Sequence, residues 1–86
     1  MYYILAVFRS RTHTKLFEER LRVSGVSCSI VQTPAGARVG CGISVRFSRS
    51  DLPRARLVLS RFSVSSFAGF YELPYRGSSK ALKRII

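Results

Sequence analysis

The sequence predicts an α+β domain: four antiparallel strands in one sheet and two helices on one face, in the order strand, helix, strand, strand, helix, strand. Three observations predict it. Apolar or alternating runs of strand length recur four times, two intervening segments switch to a helical period, and 86 residues with a hydrophobic fraction of 47% suffice for one two-layer core.

Tyr2 to Phe8 is wholly aromatic and aliphatic and stops at the charged turn Arg9-Ser10-Arg11, which suits a buried strand. From Thr12 the period lengthens: Thr14, Phe17 and Leu21 share one face and Gly25 stands where a left-handed stop belongs, so a helix spans roughly 12 to 24. Ser27 to Thr33 alternates again, with Cys28, Ile30 and Gln32 on one side, and Pro34 ends it. Residues 34 to 40 are rich in Pro, Gly and Ala and read as a long hairpin loop. Gly42 to Phe47 then points Ile43, Val45 and Phe47 to one face. Ser50-Asp51-Leu52-Pro53 carries helix-start chemistry, and Leu52, Ala55, Leu59 and Phe62 extend a second helix to about Ser63. Phe67 to Leu73 is the fourth strand, closed by Pro74.

This order is the split βαβ plan of ferredoxin-like domains. The compact domain is expected over 1–74. Residues 75–86, with Arg76, Lys80, Lys83 and Arg84 and no acid, read as a basic tail or a short appended helix. No uncharged run is apolar enough to cross a bilayer, and the first strand lacks the flanks of a secretory signal. Two cysteines with nothing to suggest export place the chain in a reducing cytoplasm.

Fifteen Lys and Arg against four acids give a net charge of +11. Four carboxylates, Glu18, Glu19, Asp51 and Glu72, are too few for a catalytic dyad plus a metal cage, and a chain this short cannot enclose a large cavity. Cys28, Cys41 and His13 have no zinc-site spacing, so neither a metal nor a resident cofactor is expected. Cys28 and Cys41 fall toward opposite ends of the hairpin, beyond disulfide reach.

The topology brings the turn after strand one and the loop after strand two to the same end of the sheet. Cys41 therefore faces the start of the first helix, together with Arg9, Arg11, His13 and Arg38. Cations and unpaired helix N–H groups favour a thiolate there. Gly40 and Gly42 bracket the cysteine and leave its sulfur open to a partner. The plainer alternative makes Cys41 a small apolar residue at a strand end and His13 a solvent-facing bystander.

Tyr2-Tyr3-Ile4-Leu5, Gly25-Val26, Thr33-Pro34 and Cys41-Gly42-Ile43-Ser44-Val45-Arg46-Phe47 together resemble the putative Se/S carrier protein-like family of small bacterial proteins, over residues 2 to about 73. The resemblance implies that Cys41 accepts a sulfane sulfur or selenium atom from a donor protein and hands it to an acceptor, as a carrier and not a turnover enzyme. Where similar sequences often place a basic residue after Thr-Pro, this chain has Ala35, so if that charge holds the anion its job here falls to Arg38 or is lost.

The charge leaves a second reading open. Twelve of the fifteen cations are arginine, which suits an RNA-binding module using Arg46, Arg76, Lys80, Lys83 and Arg84, or a domain that only docks to an acidic protein. Against RNA, the third strand turns Gly42, Ser44 and Arg46, not aromatics, to the face away from the helices. Pairing of edge strands into a homodimer also stays open.

Overall fold

The computed structural model describes residues 2–34, 41–62, 65–74 and 83–85. The chain runs β1 (Tyr2–Phe8), α1 (Arg11–Val23), β2 (Cys28–Gln32), β3 (Ile43–Ser48), a 3-10 turn (Arg49–Asp51), α2 (Leu52–Ser60), β4 (Phe67–Pro74) and β5 (Lys83–Arg84). The strands form one antiparallel sheet in the order β2-β3-β1-β4-β5. Its first four strands and two helices are the ferredoxin-like arrangement the sequence predicts.

Because β1 is central and lies between two layers of side chains, its run must be apolar on both sides, as it is. Ile4, Ala6 and Phe8 face the helices and join Phe17, Leu21, Val45, Phe47, Ala55, Phe62 and Phe70 in the main core. Leu5 and Val7 face the other way and form a smaller cluster with Ala68, covered in part by Val31 and Tyr71. The predicted helical faces hold: Thr14, Phe17 and Leu21 are the buried residues of α1, and Ala55 that of α2.

Local chemistry sets the element ends. Ser10 caps α1, its hydroxyl accepting the His13 N–H at 3.2 Å. At the other end Gly25, at φ +87°, lets Val26 N–H reach Leu21 O and Gly25 N–H reach Arg22 O, a Schellman stop. The second helix differs from expectation. Ser48, not Ser50, caps a 3-10 turn ahead of it, Asp51 makes no side-chain cap bond, and α2 ends at Ser60. Phe62 lies beyond that end but is buried, because its N–H still bonds Leu59 O and turns the ring inward.

The C-terminal segment differs as well. Residues 75–82 and 86, most of the expected tail, lie outside the described residues. Where description resumes, Lys83–Arg84 is a strand on the outer edge of β4 and not part of a helix. Ile85 donates its N–H to Phe70 O at 2.8 Å and packs against the core. An edge strand presents unpaired backbone groups that a returning segment satisfies, and two residues are too few to show a period in sequence.

Candidate functional site

The end of the sheet where β1 stops, α1 starts and β3 begins holds Arg9, Arg11, His13, Cys41 and Gly42. Cys41 N–H donates to Phe8 O at 3.1 Å, and Thr33 N–H to Gly42 O at 2.9 Å, so the cysteine is tied by backbone to the end of β1 and the following glycine to the residue after β2. Gly42 has φ +96°, a conformation that side-chain-bearing residues resist. A Cβ added there would meet nothing within 4 Å. Gly42→Ala therefore tests backbone strain alone: an expected loss of about 1–2 kcal/mol in urea denaturation, with no steric component.

The Cys41 thiol is half-buried and free. Its Sγ lies 3.5 Å from Thr14 Oγ1 and 3.7 Å from Ile43 O, within the longer reach of sulfur. The Thr14 hydroxyl in turn donates to Ser10 O at 2.9 Å, a carbonyl that also accepts the Thr14 N–H at 2.9 Å. With the hydroxyl proton given to Ser10, the thiol's single proton is shared between Thr14 Oγ1 and the Ile43 carbonyl. If the sulfur becomes an anion, the hydroxyl can turn and donate to it, since Ser10 O keeps its backbone partner.

Thr14 is the site residue that sequence reasoning missed. Periodicity puts it on the buried face of α1, where it reads as core; its hydroxyl among apolar neighbours is the signal that was available. Other expectations are met only in part. Arg9 and Arg11 stand exposed at this end, and no ion pair or hydrogen bond joins them to Cys41 among the described residues. His13 turns away from the cysteine: its Nδ1 lies 2.6 Å from Ser66 Oγ, and its ring meets Phe62 edge-on at 6.3 Å. Arg38 and Gly40 lie outside the described residues. Among the described residues, no group of His, Cys, Asp and Glu is placed to hold a metal.

The resemblance is confirmed by comparison with known families. Residues 2–72 match the family described as "Putative Se/S carrier protein-like". The chain belongs to that family. Comparison with curated proteins and with solved structures finds no match. The match covers every element from β1 to most of β4, so in this member of the Se/S carrier-like family the Cys-Gly step sits at the junction of β1, α1 and β3.

Cys28 is the other candidate sulfur, and its setting is different. It pairs in register with Phe47, at the opposite end of the β2–β3 hairpin from Cys41. Its Sγ donates to Glu18 O at 3.5 Å. Burial raises its pKa, the Glu18 and Asp51 charges add to that, and Arg22 opposes it. A thiol whose folded pKa lies above its unfolded value holds its proton longer when folded. Its stabilising contribution is therefore complete below the ordinary thiol range and is lost as pH rises through that range. The urea midpoint should fall more steeply above about pH 8.5 in the wild type than in Cys28→Ala; parallel curves would refute the linkage.

The remaining predicted cations are dispersed. The Arg46 guanidinium lies over the Tyr3 ring, 4.5 Å from its centroid. Arg84 stands exposed in β5 and Lys83 contributes backbone to it, while Arg76 and Lys80 lie outside the described residues. No helix among the described residues is long and apolar enough to cross a membrane.

Proposed function

We propose that this protein carries a sulfane sulfur or selenium atom on Cys41 between a donor and an acceptor protein of the reducing cytoplasm. The observation that carries the reading is the position of the family's Cys-Gly cysteine: tied by backbone to β1, with Sγ against a hydroxyl in the first turn of α1. In the loading step the Cys41 thiolate attacks the outer sulfur of a donor persulfide. The donor S–S bond breaks, the donor cysteine leaves as thiolate, and a new S–S bond forms on Cys41. Unloading reverses this: an acceptor nucleophile takes the outer sulfur and Cys41 departs as thiolate.

The thiolate that attacks, and that leaves on unloading, gains a donor when the Thr14 hydroxyl turns from Ser10 O to Sγ. The exposed Arg9 and Arg11 add positive potential at the same end, and the net charge of +11 steers acidic partners toward the molecule. Neither step requires an enclosed pocket, which an 86-residue chain could not easily build.

Incubation with a cysteine desulfurase and free cysteine, read by intact mass, should give a one-sulfur adduct in the wild type and none in Cys41→Ala. A wild type that stays unmodified, or an adduct that survives in Cys41→Ala on Cys28, overturns the reading.

A further inference from the structure

The sheet face away from the helices holds groups that the carrier reading does not use. The register fixes them: Ser29 pairs with Arg46, Arg46 with Leu5, Leu5 with Tyr71, and Tyr71 with Arg84. Arg46, Tyr71 and Arg84 thus stand in one line across the sheet on the face that Leu5 defines. The end of this face nearest Phe8 is closed by Leu5, Val7 and Ala68, all buried. Toward the opposite end, remote from Cys41, it opens at the sheet's rim into a cavity of about 360 Å³ lined by Tyr3, Ser27, Ser29, Arg46 and Ser48, with Cys28 and Phe47 reaching it from the helix side.

This combination has a chemical meaning. Arg46, stacked on Tyr3, lines the cavity with it, and bases of single strands stack on such guanidinium planes and aromatic rings. The N–H edge of the same group can take a phosphate, and the serine hydroxyls can both donate and accept. The cavity lies within the size range of small-ligand sites, enough for one nucleotide unit. Four carboxylates stand in the whole chain, and Glu18 and Glu72 are engaged by Arg22 and Arg49, so little negative charge opposes a polyanion. The third strand alone offers no stacking residue, as its sequence indicates; the aromatics arrive from β1, two residues along the strand from Leu5, and from β4, beside Leu5.

The geometry points to a single-stranded nucleic-acid site on this face, with one nucleotide seated in the cavity against the Tyr3–Arg46 pair; Leu5, fully buried between Arg46 and Tyr71, bounds it. The site is separate from Cys41 and independent of sulfur loading.

The test is fluorescence anisotropy with labelled uridine-tract RNA and thymidine-tract DNA of about ten nucleotides, a length within the usual single-strand site range. The full-length protein is titrated at several salt concentrations with no sulfur donor present. Arg46→Ala should weaken binding of whichever strand binds by about tenfold and lower the log–log salt slope by about 0.7, the value for one phosphate contact on a single strand. Arg46→Lys, which keeps charge but loses the plane, should retain the slope and lose affinity. Arg56→Ala, which removes an exposed charge on α2, serves as control and should change affinity less than about twofold if binding is local to the sheet face. Equal losses in Arg46→Ala and Arg56→Ala would reduce the interaction to diffuse charge and overturn the proposal. So would a duplex bound as tightly as the single strands. Wild type that binds neither strand at low salt would overturn it too, leaving the face to an acidic protein partner.

Discussion

Phe8→Ala is expected to lower the free energy of unfolding by about 3–5 kcal/mol. A domain of 86 residues has about 4–13 kcal/mol in total, so the substitution should remove a large share of it and shift the urea midpoint strongly downward. The ring is fully buried, with centroids of Phe17, Phe62 and Phe67 at 5.2, 6.1 and 5.3 Å. Truncation would remove a group that touches α1, the segment after α2, and β4 together, and close packing would leave a cavity. The carbonyl of the same residue accepts the Cys41 N–H, so the site should loosen with the core. Urea denaturation followed by far-UV circular dichroism measures this. A loss below about 1 kcal/mol, the scale of an ordinary surface substitution, would mean that the aromatic cluster closes over the gap.

Thr14→Val should separate stability from chemistry. Valine fills the same buried space and keeps the N–H bond to Ser10 O, so the fold should lose about 1 kcal/mol for the missing hydroxyl bond. The sulfur loses more. A hydrogen bond to a charged group contributes about 1.5–3 kcal/mol, and without it the Cys41 anion has one donor fewer. The hydroxyl gives up its Ser10 bond to serve the sulfur, so alkylation by iodoacetamide at neutral pH, measured in a Cys28→Ala background, should slow by about threefold to thirtyfold, and sulfur loading should slow with it. Thr14→Ser should restore both. An unchanged rate in Thr14→Val would show that the sulfur is served by another group.

The fold was legible because its signals are local. The all-apolar β1, the Thr14, Phe17 and Leu21 face of α1, and the alternation of β3 are properties of neighbouring residues, and each appears where the period puts it. What was not legible depends on tertiary placement. β5 is two basic residues with no pattern, recruited by the free edge of β4. Thr14 reads as core until the chain folds and sets its hydroxyl against Cys41 from another element. His13, placed correctly at the cysteine's end, is drawn off by Ser66, more than fifty positions away. Likewise, a strand's two faces are known from sequence, but which residues stand abreast of them is known only from register. For that reason Tyr71 and Arg84 could not be aligned with Arg46 in advance.

The central place of β1 sets a condition on the order of synthesis. Its apolar segment is made early, yet one of the two strands that flank it, β4, is made near the opposite end of the chain. On the ribosome, nascent chains lacking β4 would hold β1 half covered, and such a run is prone to stick to its like. Truncations ending before Phe67 should therefore require a chaperone to stay dispersed, whereas the chain carrying β4 should not.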